Sequence, residues 1–219
     1  MFNELNLITN NCFESFPGSS HPINRRMQPI VDSIVGMGTE NISFMINELV
    51  RCFAVKGSYV EVGCLRGRSL ISAAFQNDST KCIGIDNFSE YDHNNENETA
   101  LLQNIKNSGQ KNIKFFNGDY REILSEILDF KSVDVYFYDG PHRYQDQLDG
   151  LEIMLPYFKD KCVIIVDDVC WSNVARANDD FCLKHADFKQ FVRVAPHDGT
   201  FPHGQCPWWN GFEIIYRDV

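Results

Sequence analysis

The sequence predicts an α/β fold: a three-layer sandwich built on a mostly parallel seven-stranded sheet with an antiparallel C-terminal edge. Three observations lead there. From Tyr59 onward, short runs rich in valine and isoleucine alternate with longer stretches whose apolar residues recur every three or four positions, the pattern of strand–helix–strand units in a parallel sheet. Most of those short runs end at or beside an acidic residue. Two further β-like runs close the chain with no helical pattern between them.

In chain order, residues 1–56 form an N-terminal extension that begins polar and irregular, with Pro17, Gly18, Pro22 and Pro29, and becomes helical from Glu40 to Phe53. A lid or substrate cap is expected there. The main domain, 57–219, opens with a strand at Ser58–Gly63, followed by strands at Lys81–Asp86, Ile113–Asn117, Val133–Asp139 and Cys162–Asp167. Helical spacing fills the gaps at Ser69–Gln76, Glu98–Ser108, Tyr120–Leu128 and Tyr144–Tyr157. A helix at Asn173–Lys184 and strands at Gln190–Val194 and Phe212–Arg217 complete the domain, the last two pairing as the antiparallel edge. Asp92–Glu98 is a polar loop, and no internal repeat or linker divides the chain.

The 219 residues carry 30 acidic and 20 basic side chains, a formal net charge of -10, with no basic cluster able to track a phosphate backbone. Nucleic acid is therefore excluded as an expected partner. No apolar run approaches the roughly 20 residues of a membrane helix, and the first residues lack the pattern of a signal peptide. A cytoplasmic protein without a membrane partner is expected, and self-association into a homo-oligomer is left open. The eight cysteines are scattered and never spaced Cys-x-x-Cys, which suits reduced structural thiols.

In an open α/β sheet, ligands bind beyond the carboxyl ends of the strands where the strand order switches. Acids at those ends share one crevice. Glu61-Val-Gly63-Cys64-Leu-Arg-Gly67 puts glycines between a strand and a helix, where backbone can approach a ligand. It departs from the dinucleotide fingerprint Gly-x-Gly-x-x-Gly. A strand-end glutamate would repel a pyrophosphate but suits a ligand bearing an ammonium and a sulfonium, as S-adenosylmethionine does. Asp86 lies where a ribose-binding acid sits, with Asn87 beside it. Asp119 can accept from the adenine amine while Tyr120 offers a ring face. Cys64 and Ser69 belong to the same loop and helix start. Any one of these acids could instead cap a helix, but three consecutive acid-bearing strand ends favour the adenosyl ligand.

The fourth and fifth strands end in Asp139-Gly-Pro-His142 and Asp167-Asp168. Neighbouring residues of a regular strand point to opposite faces, so both aspartates can reach one point only if the chain turns there, at Val169. Three converging carboxylates call for a cation, and oxygen ligands select magnesium, manganese or calcium. Asp139, Asp167 and Asp168 are thus the candidate metal ligands. As alternatives, Asp167 and Asp168 could cap the next helix, Asp139 could be an ordinary turn residue, and His142 an ordinary histidine.

From Thr39 to Asp168 the chain resembles the metal-dependent class I methyltransferases of the macrocin O-methyltransferase type, whose Asp-Gly-x-His motif and paired acid match Asp139, His142, Asp167 and Asp168. The resemblance implies a Rossmann-like S-adenosylmethionine-dependent O-methyltransferase. It implies His142 as base, Asp139 as catalytic partner that also touches the cofactor, and a lid near Met37–Thr39, with Thr39 at the cofactor. Catechol-type relatives use lysine where this chain has His142, so a sugar or other small-molecule hydroxyl is the expected acceptor. His203, Trp208 and Trp209, between His197 and Asn210, offer stacking faces. The rivals are a non-catalytic cofactor-binding module, a metal-dependent glycosyltransferase, against which Glu61 speaks, and an oxygenase-like relative that shares acidic strand ends.

Overall fold

The structure, a computed structural model, describes residues 1–92, 94–195 and 206–219. Its elements run α1 (Phe2–Cys12), α2 (Gln28–Ser33), α3 (Glu40–Phe53), β1 (Ser58–Val62), α4 (Arg68–Ala74), β2 (Lys81–Asp86), α5 (Asn97–Ser108), β3 (Ile113–Asn117), α6 (Tyr120–Ile127), β4 (Val133–Tyr138), α7 (Tyr144–Glu152), β5 (Phe158–Asp167), α8 (Ser172–Lys184), β6 (Phe188–Val194) and β7 (Phe212–Asp218). The strands form one sheet in the order β3-β2-β1-β4-β5-β7-β6. β1 to β5 pair in parallel, and β7 runs antiparallel to both β5 and β6. The strand order reverses between β1 and β4, so the crevice at their carboxyl ends is where a ligand belongs.

The central strands are apolar on both faces because both are covered. Tyr59, Val135, Phe137, Val163 and Ile165 face one layer, packing with residues of α1, α3, α4 and α5. Their neighbours Val60, Val62, Tyr136, Tyr138, Ile164 and Val166 face the other, against Leu124 of α6, Leu151 of α7, and Val174 and Phe181 of α8. This alternation gives the three layers. Among the described residues, no helix is long and apolar enough to cross a membrane.

Two sequence expectations need correction. The first residues are not irregular: α1 is a full helix that buries Leu5 and Ile8 in the core and sets Phe2 edge-on to Phe191 of β6, ring centroids 5.6 Å apart. Its four asparagines are weak helix formers, so packing rather than propensity makes it helical. The helix expected over Tyr144–Tyr157 ends at Glu152. Pro156 disfavours helical backbone at Leu155, and the chain leaves in turns towards β5.

Candidate active site

The three central strand ends are stitched together by backbone. The Gly63 amide donates to the Ile85 carbonyl at 3.0 Å, and the Asp139 amide donates to the Val62 carbonyl at 2.9 Å. Gly63 has φ +88°, and a Cβ there would lie 1.9 Å from the Asp139 carbonyl oxygen. Only glycine allows the β1 and β4 ends to meet so closely. The loop then rises to α4, and Asp86 holds it: one carboxylate oxygen accepts from the Cys64 and Leu65 amides, both at 2.8 Å, and the other from the Phe88 amide at 2.7 Å.

These strand ends enclose a cavity of about 360 Å³. Gly63, Cys64, Ser69, Asp86, Asn87, Asp119, Tyr120, Asp139, His142, Asp167 and Asp168 all line it. Two predicted residues do not. Glu61 is wholly buried on the face that α4 covers, accepting from the Tyr59 hydroxyl at 2.5 Å and the Ser69 hydroxyl at 2.6 Å. Burial raises its carboxyl to about 7, against the three hydrogen bonds that favour the anion. Thr39 caps α3, and its hydroxyl donates to the Pro207 carbonyl at 2.7 Å, while its neighbours Gly36, Met37 and Gly38 line the cavity instead. Asp119 lines the cavity and also caps α6, accepting from the Arg121 amide at 2.9 Å. Burial pushes the Cys64 thiol well above its ordinary range, which keeps it protonated.

At the other end of the cavity the chain turns sharply at Asp168 itself, one residue before the expected position, with φ +57°. Aspartate tolerates this left-handed backbone better than most residues. Neither Asp167 nor Asp168 caps α8, whose N-cap is Trp171 without a side-chain bond. His142 Nε2 lies 2.7 Å from Asp168 Oδ2. Donor atoms of Asp139, His142 and Asp168 all fall within 4.8 Å of one another. Asp167 stands next to this trio without completing it. Burial first, then Asp167 and Asp168, raises the Asp139 carboxyl well above its ordinary range, and burial followed by Asp168 raises Asp167. His142 Nδ1, Asp167 Oδ1 and Asp168 Oδ1 are buried without a hydrogen-bond partner.

The sequence missed several lining residues, including Arg66, Arg68, Arg121 and Trp171. The Trp171 ring lies 5.1 Å from that of His142 and remains 47% exposed. Nothing in a single sequence marks which arginines or tryptophans the fold brings to a crevice. Of the proposed stacking residues, Trp209 lines the cavity, whereas Trp208 is core, packed on Phe13, Phe16 and Phe212 with its indole donating to the Pro17 carbonyl at 2.6 Å. His203 and His197 lie outside the described residues.

Comparison with known proteins agrees with this layout. A family model described as a methyltransferase domain matches residues 60–169, half of the chain. An uncharacterized protein of Acanthamoeba polyphaga mimivirus is 32% identical over 115 residues, which is 51% of each protein, so the match spans about half the length of that relative. Among solved structures, the O-methyltransferase of Bacillus cereus in complex with SAH superposes with a TM-score of 0.64 at 14% identity, covering 100% of both chains. The O-methyltransferase TomG of Streptomyces achromogenes, in complex with SAM, gives 0.63 at 13% identity over 89% of this chain and 87% of its own. At such identities the two structures speak for the fold. The family match runs from within β1 to just past Asp168 and takes in the acid-bearing ends of all five parallel strands, and on that match the chain belongs to the methyltransferase domain family.

Proposed function

We propose that this chain is an S-adenosylmethionine-dependent O-methyltransferase of the macrocin-like, metal-assisted type, acting on a hydroxyl of a small molecule or sugar. The observation that carries the reading is the meeting of Asp139, His142 and Asp168 at one end of a cavity whose other wall is the β1–α4 loop. The donor set suits a divalent cation. Carboxylate oxygens dominate it, Asp167 Oδ1 and Asp168 Oδ1 are buried without a partner, and burial together with repulsion from Asp167 and Asp168, which raises Asp139, is what a cation would offset. Asp139 and Asp168 would hold magnesium, manganese or calcium, with His142 within reach and Asp167 beside them. When bound, the ion supplies charge that lowers the pKa of a hydroxyl.

The chain's own residues then have distinct tasks. Asp168 orients the His142 ring through Nε2, which leaves Nδ1 as a buried acceptor able to take the hydroxyl proton. The strand-end loop and Asp86 fix the wall against which the methyl donor lies. Asp139, anchored to β1 through its amide, keeps the two ends of the cavity at a set distance. A sulfonium methyl is intrinsically reactive, so alignment of donor and hydroxyl provides much of the acceleration.

Calorimetry with S-adenosylmethionine, with and without magnesium, tests the reading first: a module without catalysis need not respond to the metal. With an acceptor in hand, His142→Ala should lower kcat roughly 10²-fold or more, the scale of a lost general base, and chelation by EDTA should abolish turnover until magnesium returns. Full turnover by the alanine variant would remove His142 from the chemistry, and indifference to EDTA would remove the metal.

A further inference from the structure

One wall of the cavity hangs on a single side chain. Gly36, Met37 and Gly38 line it from the segment joining α2 to α3. That segment has little else to hold it: Val35 is 71% exposed and Met37 is 47% exposed. Its ties to the rest of the molecule come from Arg68, at the first turn of α4. Arg68 Nε and Nη2 donate to the Ile34 carbonyl at 2.9 and 2.6 Å, and Nη1 donates to the Gly38 carbonyl at 2.9 Å. Among the described residues no other hydrogen bond links positions 35–38 to another element, and no carboxylate pairs with Arg68 at ion-pair distance. The guanidinium also packs against Gly36, where a Cβ would come within 3.3 Å of Nε.

We infer that Arg68 is a positioning residue for the methyl donor: by bracketing both ends of the 34–38 segment, it holds that segment as the outer wall of the donor cavity. A planar guanidinium with several donors at fixed angles can bridge two carbonyls four residues apart, whereas a lysine ammonium offers one flexible point of attachment. An acidic partner would compete for the same donors. The carbonyls receive charge-assisted bonds, the strong kind, so the wall is set before any ligand arrives. For its ligand the inference rests on the function proposed above; for its geometry it does not.

The test pairs two measurements on the ligand-free and ligand-bound full chain. In limited proteolysis by thermolysin, which cuts before large apolar residues, Arg68→Ala should speed cleavage at Val35 or Met37 at least about tenfold over the unsubstituted protein, the scale of losing one charge-assisted hydrogen bond. Calorimetry with S-adenosylhomocysteine should show Kd raised by a similar factor, and Arg68→Lys should fall between in both. Unchanged cleavage together with weakened binding would mean that Arg68 acts by direct contact, and faster cleavage with unchanged Kd would mean that the wall is irrelevant to the donor. Either result overturns the inference. Failure of the unsubstituted protein to bind S-adenosylhomocysteine would instead sink the proposed function. Arg68→Lys, which keeps the charge, decides the matter should the alanine variant not fold.

Discussion

Gly63 shows how much of the site depends on one missing side chain. Its φ of +88° is strained for any other residue, and the Asp139 carbonyl occupies the space a Cβ would need. Backbone cannot swing aside as a flexible side chain can. Gly63→Ala should therefore destabilise the fold by about 3 kcal/mol or more, combining left-handed strain with a backbone collision, as read by urea unfolding. A loss below about 1 kcal/mol would mean that the β1 and β4 ends can separate cheaply. Asp168 makes the complementary use of left-handed backbone: it accepts the strain, and the turn brings its carboxylate to His142.

At the scale of elements, α1 is the informative case. It lies on the sheet with α3 and the β6–β7 edge, burying Leu5 and Ile8, and the amino terminus bonds Asp218 of β7 at 3.0 Å. A helix with this role is part of the core. Leu5→Ala should cost about 3 kcal/mol, within the range for buried leucine, and lower Tm by roughly 6–12 °C for a chain of this size. A shift under about 2 °C in a thermal scan would show α1 to be a loosely attached appendage. The segment that follows α2, rather than α1, supplies the cavity wall.

For the whole molecule, the buried Glu61 links stability to pH. Its carboxyl is raised from the ordinary 4.5 to about 7 by burial. The folded state therefore holds a proton that the unfolded state has released between these values, so stability falls as pH rises through that window and levels off above it. The whole effect is on the order of 3 kcal/mol. Glu61→Gln removes the titration while keeping an acceptor for one of the Tyr59 and Ser69 hydroxyls and turning an amide donor to the other. Urea unfolding at pH 5 and pH 8 should show the variant gaining on the unsubstituted protein by roughly that amount at the higher pH; an equal difference at both would mean that Glu61 titrates normally.

The strands, their alternation with helices and the antiparallel edge were legible from the amino acids alone, because valine- and isoleucine-rich runs buried on both faces have no other stable placement. So were the acids at the strand tips, since strand ends in this topology share one crevice. Local pattern could not say which of those acids face the ligand. Glu61 points into the layer that α4 covers, Asp119 also caps its helix, and His142 rather than Asp167 joins Asp139 and Asp168. Those outcomes depend on side-chain direction and on turns set by distant strands. For the same reason α1, the burial of Trp208 and the reach of Arg68 to the 34–38 segment belong to tertiary structure: each rests on contacts between residues far apart in the chain, which no local periodicity encodes.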